Sequence, residues 1–155
     1  MPTSKAGVLR ADSPAHTSPV YQTSVRVRYA ETDQMGVVYH SNYIVWFEVG
    51  RVEMLRQLGF CYSDMEKLDD THIAVVDVRC RYKAPARYDD VINIRSWFIH
   101  VRDSLLHFGY ELVRASDGTI VAEGESVHIV VDSTLKWTKL PAKYLDAFKT
   151  AVTAE

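Results

Sequence analysis

One helix-like segment followed by four strand-like runs in succession restricts this chain more than any other feature of its sequence. Ser41 or Asn42 can cap a helix that runs through Tyr43, Ile44, Val45, Trp46, Phe47, Val49, Val52, Leu55 and Leu58 and stops at Gly59. Its first half is apolar nearly all round, apart from Glu48, so other structure is expected to wrap it. Residues 73–83 then alternate, Ala74, Val76, Val78, Cys80 and Tyr82 opposing Val75, Asp77, Arg79, Arg81 and Lys83, and Pro85 ends the run. Val91 to Val101, Leu105 to Val113 and Thr119 to Val131 are rich in β-branched and aromatic residues, with Arg102-Asp103-Ser104 and Ser116-Asp117-Gly118 as the turns between them. Ahead of the helix, Val25, Val27 and Tyr29 oppose Arg26 and Arg28 in a further strand. Strands linked by hairpins make a mostly antiparallel sheet, and a buried helix must lie on its concave face. The expected class is α+β, a curved five-stranded sheet around one long central helix.

The rest of the chain adds little to that plan. Residues 1–20, rich in Ser, Thr, Pro and Ala and without periodicity, read as a flexible extension, leaving 21–155 as one domain. Tyr62 to Leu68 is a short amphipathic stretch, and Pro141 opens a short final helix through Phe148. A chain of 155 residues can bury a core without metal or disulfide staples. Cys61 and Cys80 form no CxxC and have no His at ligand spacing, so they read as free thiols in a reducing, cytoplasmic setting, and no metal is implied. A net charge of -2 gives no global positive field for a nucleic acid, and no apolar run is long enough for a transmembrane segment. Val91, Trp97, Ile99 and Val101 share one strand face and Ile92, Ile94 and Phe98 the other, which suggests a strand buried on both sides and hence self-association.

The chemistry concentrates in the loop before the helix, Tyr29-Ala-Glu-Thr-Asp33-Gln-Met-Gly36-Val-Val-Tyr-His40-Ser-Asn42-Tyr43, continued by Trp46-Phe-Glu48-Val-Gly-Arg51. A carboxylate at Asp33 could attack a carbonyl directly or serve as general base to water. The helix start beyond it offers free N–H groups and the positive end of a dipole, where an oxyanion would be held, and His40 stands at that entrance. Against this, an Asp in a polar loop is commonly a turn residue, and a His near a helix start is commonly structural.

This segment resembles the signature of hotdog-fold acyl-CoA thioesterases, of the 4-hydroxybenzoyl-CoA thioesterase type and the type associated with the Tol-Pal system, over about residues 22–135. The resemblance implies that Asp33 is the catalytic carboxylate and that the His40 backbone N–H polarises the thioester carbonyl. Gly36 would keep the loop close to the acyl group, with Tyr39 and Ser41 supporting the loop and oxyanion. Another branch of hotdog thioesterases carries its carboxylate on the central helix, which makes Glu48 the alternative, although Glu48 and Arg51 stand three apart and can pair with each other. Tyr43, Arg81, Lys83, Arg87 and Arg102 are candidates for contact with substrate or coenzyme A. The resemblance further implies an acyl-CoA or acyl carrier protein thioester as partner, no cofactor beyond coenzyme A as part of the substrate, and a homodimer or a tetramer built as a dimer of dimers. The other readings are an acyl-thioester dehydratase or hydratase using His40 with Glu48, and a non-catalytic acyl-CoA binding module.

Overall fold

The period-2 runs become strands and the long apolar segment a helix in a computed structural model that describes residues 18–153. In chain order these are β1 (Tyr21–Arg26), α1 (Ser41–Gln57), α2 (Tyr62–Asp69), β2 (His72–Tyr82), β3 (Val91–Arg102), β4 (Leu105–Arg114), β5 (Ile120–Val131) and α3 (Ala142–Thr153), with a 3-10 turn at Tyr29–Glu31. The strands form one antiparallel sheet in the order β1-β3-β4-β5-β2, so β1 and β2 are its edges. α1 lies against β1, β2, β3 and β4 and buries Tyr43, Trp46, Phe47, Gly50, Met54 and Leu55. This is the hotdog arrangement. Among the described residues no helix is long and apolar enough to cross a membrane.

Close approach of α1 to the sheet requires small residues beneath it. The Phe47 ring stacks on Tyr110 at 4.4 Å and 8°, and a Cβ on Gly124 would meet that Phe47 ring at 2.5 Å and the Arg79 carbonyl oxygen at 2.4 Å. Backbone on one side and a packed ring on the other leave no room to yield. Gly124→Ala is therefore expected to destabilise the fold by about 2–3 kcal/mol, within the range for overpacked cores. A denaturant midpoint equal to that of the wild type would contradict the packing described.

Several expectations are corrected. Tyr29 does not continue the first strand: Val27 is the last buried residue of that run, and Tyr29 turns outward in the 3-10 turn. Val101 faces the core with Phe98 rather than the outer face with Trp97, because an irregularity between Phe98 and His100 shifts the alternation by one residue. A second irregularity, between Val75 and Asp77, does the same in β2. Within one chain the outer face of β3 is left partly open, Ile99 exposed and Trp97 half-buried. The amphipathic stretch is α2, and the final helix reaches Thr153 and seats Tyr144, Phe148 and Ala151 in the core, Phe148 against Phe60 and Phe98. Within one chain the first half of α1 leaves Ile44 and Val45 40% and 50% exposed. Of the extension expected over 1–20, residues 1–17 lie outside the described residues; Val20 is buried and the Ser18 hydroxyl donates to the Val152 carbonyl at 3.0 Å.

Candidate active site

Asp33 stands on a tight reversal pinned across its base by an antiparallel bridge between Thr32 and Val38. The Asp33 N–H donates to the Val37 carbonyl and the Gly36 N–H to the Asp33 carbonyl, both at 2.9 Å. Gly36 takes φ +74°, the left-handed region where a side chain is strained. Space is not what restricts it, because a Cβ there would meet nothing within 4 Å. The Asp33 carboxylate accepts the Met35 N–H through Oδ1 at 2.9 Å, leaving Oδ2 without a protein partner among the described residues. One oxygen holds the loop, and the other is left open.

The loop is anchored by Glu31, to which sequence reasoning gave no role. Glu31 is 6% exposed; its Oε2 accepts the Trp46 indole N–H at 3.1 Å and its Oε1 the Arg28 backbone N–H at 2.8 Å, with Arg28 Nε 3.4 Å away. Its carbonyl accepts the Tyr39 N–H and the Asn42 side-chain amide, both at 2.9 Å. One residue thus ties both ends of the Asp33 loop to α1. No periodicity could have revealed it, because its partners are spread over a loop and a helix. Glu31→Ala leaves the buried Trp46 indole N–H unsatisfied and releases the Arg28 backbone N–H, with an expected loss of about 1–3 kcal/mol in unfolding free energy. Chemical denaturation checks this, and an unchanged midpoint would show that the carboxylate holds nothing.

Helix α1 starts without a side-chain cap. Its N-cap is His40 rather than Ser41 or Asn42; the Asn42 side chain is committed to Glu31, and Ser41 is an exposed first helical residue. The His40 backbone N–H has no partner among the described residues, while the His40 carbonyl accepts the Tyr82 hydroxyl at 2.9 Å. Partial burial, then Cys80, pushes the Tyr82 phenol up to about 12, so it remains a donor across the working pH range. The His40 ring rests between Tyr39 at 4.4 Å and Tyr82 at 6.2 Å, and Tyr43 contacts both Tyr82 and Trp46 at 5.2 Å. The Tyr43 hydroxyl accepts the Ala86 N–H at 3.2 Å. Its phenol is raised chiefly by burial and in small part by the Asp33 charge, which places that carboxylate within electrostatic reach of the aromatic cluster. Asp33, Gly36, Tyr39, His40, Ser41, Tyr43 and Tyr82 thus converge at one end of the sheet.

The other candidates divide by position. Arg81 and Lys83 lie on β2 and just beyond it, Lys83 paired with Glu123 at 3.4 Å, and Arg87 reaches the Gly36 carbonyl at 3.5 Å. Arg102 is at the opposite end of β3 and donates to His100. Glu48 faces outward on α1, on the same side as Ser41, Ile44 and Val45, and makes no ion pair with Arg51. Arg51 turns inward instead and donates to the Tyr110 hydroxyl at 3.1 Å, starting a buried chain through Ser126 (2.6 Å) to His128 Nε2 (2.7 Å). Burial first, then the charges of Arg51 and His107, pull the His128 imidazole down to about 3. Strand alternation could have shown Ser126 and His128 on the inward face with Ala122 and Val130; the arginine arriving from the helix could not be read. Among the described residues no three His, Cys, Asp or Glu side chains gather to hold a metal ion.

A family model described as thioesterase-like superfamily matches residues 27–149, from the end of β1 into α3. The chain belongs to that superfamily. A putative acyl-CoA thioesterase, YneP, of Bacillus subtilis is 40% identical over 129 residues, 83% of this chain and 90% of its own. The acyl-CoA thioester hydrolase YbgC of Escherichia coli is 33% identical over 131 residues, 84% and 96% of the two chains. The crystal structure of a DHNA-CoA thioesterase from Staphylococcus aureus superposes with a TM-score of 0.77 at 32% identity, covering 85% of this member and 87% of that chain. The superfamily model spans every element from the Asp33 loop to the first two turns of α3, so the site described lies wholly inside the matched region.

Proposed function

We propose that this protein hydrolyses acyl-CoA thioesters of short, medium or aromatic acyl groups to the free acid and coenzyme A. The observation that carries this reading is the pairing of a carboxylate oxygen without a protein partner on Asp33 with an uncommitted N–H at His40, on one loop at the positive end of α1. The names of the relatives agree with it. Asp33 takes a proton from the water that attacks the thioester carbon, or attacks that carbon itself and forms an acyl–Asp33 anhydride that water then hydrolyses. In both routes the oxyanion is held by the His40 N–H, the C–S bond breaks, and coenzyme A leaves as the thiolate, which takes up a proton from Asp33 or from solvent, so that the free acid is released and the Asp33 carboxylate restored. The exposed rings of Tyr39 and Tyr82 on either side of His40, with Tyr43 buried behind Tyr82, offer aromatic walls for a compact acyl group.

The dehydratase reading is weaker on geometry. His40 and Glu48 are eight residues apart along α1, about 12 Å of rise, with Glu48 facing outward, so one chain does not bring them to the same carbon atom. A 3-hydroxyacyl-CoA separates the two: the thioesterase releases a free thiol and the hydroxy acid, whereas an enoyl thioester without thiol would favour dehydration. The reading includes a homodimer. It is supported by the exposed apolar residues Ile44 and Val45 on α1 and by Val75, Val76 and Tyr82 on β2, an edge strand whose outer side has no strand partner among the described residues. Light scattering is expected to give at least twice the monomer mass.

A further inference from the structure

We infer that the exposed ring pair Tyr29 and Tyr88, with the guanidinium groups of Arg28 and Arg87, seats the nucleotide end of coenzyme A, so that the protein selects coenzyme A thioesters over thioesters on a carrier protein. This rests on the thioesterase reading and names its substrate class more closely.

Tyr29 and Tyr88 are 78% and 58% exposed, outside the hydrophobic core cluster, and they touch each other edge to face with centroids 5.7 Å apart at 79°. Two rings at nearly a right angle form a corner, with one face to stack on and one edge beside it. The corner is built before any ligand arrives. The Val27 N–H donates to the Asp90 carbonyl at 2.8 Å and the Asp89 N–H to the Val27 carbonyl at 3.0 Å, which locks the β2–β3 connection carrying Tyr88 against the end of β1. On the other side, the Tyr29 carbonyl accepts the Thr32 N–H at 3.1 Å and the Thr32 hydroxyl at 2.7 Å. Exposed, fixed aromatic faces are what a purine uses, and their stacking tolerates detail because the whole ring face serves.

The charges around the corner do not all cancel. Arg26 pairs with Asp89 at 3.3 Å and Arg114 with Asp90 at 3.5 Å. Arg28 approaches Glu31 through Nε at 3.4 Å while its side chain stays 76% exposed, and Arg87 meets a carbonyl oxygen but no carboxylate among the described residues. Two guanidinium groups flank the rings in sequence and remain open to phosphate oxygens, which their planar forks match. The position is right for a long substrate. Tyr29 precedes Asp33 by four residues, at most about 14 Å of chain, a separation that an extended pantetheine arm can bridge. Arg87 touches the Asp33 loop itself at Gly36. A carrier-protein thioester brings the same arm but no adenine and no pyrophosphate.

The test compares one acyl group on coenzyme A and on pantetheine, which lacks the nucleotide, and takes the ratio of kcat/KM for the two esters. The wild type is expected to favour the coenzyme A ester by at least about tenfold, expressed in KM. In Tyr29→Ala/Tyr88→Ala that ratio falls toward one, and Arg87→Gln lowers it along with the salt dependence of KM. General damage to the fold would lower both rates and keep the ratio, so a ratio unchanged in both variants overturns the inference, as does a wild-type preference for the acyl carrier protein ester. If the wild type hydrolyses neither ester, the thioesterase reading fails by itself. The seat is then judged by adenosine 3′,5′-bisphosphate alone: quenching of tyrosine fluorescence that the double variant lacks supports it, and no binding overturns it.

Discussion

Asp33→Asn is expected to cut thioester hydrolysis by about 10²- to 10⁴-fold, nearly all of it in kcat. The substitution is close to isosteric, and the amide oxygen can still accept the Met35 N–H, so the turn that shapes the loop is kept. What disappears is the second carboxylate oxygen, with its negative charge and basic lone pair, and both versions of the mechanism depend on it. The His40 N–H and the aromatic walls are untouched, so substrate still binds. Steady-state rates with an accepted acyl-CoA, together with a matched denaturant midpoint, read out the two halves of this expectation. A folded Asp33→Asn protein with the wild-type rate would remove Asp33 from the chemistry and bring Glu48 back as the candidate carboxylate.

The second large effect concerns the buried chain beneath α1. His128 has no exposed surface, gives its Nε2 to Ser126 and has no partner for Nδ1 among the described residues. Burial and the Arg51 charge hold its imidazole at about 3, against 6.5 for an ordinary histidine. The folded state therefore stays neutral at His128 while the unfolded chain takes up a proton, and stability must fall as pH drops from about 6.5 toward 3. At full effect this one group contributes about 1.4 kcal/mol per pH unit, approaching roughly 5 kcal/mol in total. Asp69, Asp117 and Asp132, whose carboxyls are lowered by hydrogen bonds, add to the acid loss below their ordinary range. His128→Gln separates the contributions. Urea unfolding at intervals from pH 7.5 to 4.5 should give a slope shallower than that of the wild type by close to one proton, and parallel slopes would contradict a neutral buried imidazole.

The sheet was legible because its strands obey a simple period. Leu105 to Val113 and Thr119 to Val131 were placed to within a residue of β4 and β5, and the Asp117-Gly118 turn between them has the left-handed glycine such a turn needs. Strict alternation puts Val101 on the wrong face because an irregular register has no mark in a run of apolar residues. Asp33, Gly36 and His40 could be singled out because they lie close together in one segment and resemble a known signature. Glu31 and the Arg51–Tyr110–Ser126–His128 chain could not, since each joins segments far apart in sequence. The expected Glu48–Arg51 pair failed for a related reason. Spacing along a helix permits a pair, but a buried phenol at Tyr110 offered the arginine a partner that helical spacing does not show.

The most direct test of the account is thiol release from a panel of acyl-CoA esters by the purified full chain. Short, medium and aromatic acyl groups should be followed with a thiol-reactive chromophore and the products weighed by mass spectrometry. The account predicts equimolar coenzyme A and free acid from at least one ester, well above the rate without protein and lost in Asp33→Asn. Binding of these esters with no thiol released from any of them would contradict it, and would leave the protein an acyl-CoA binding module.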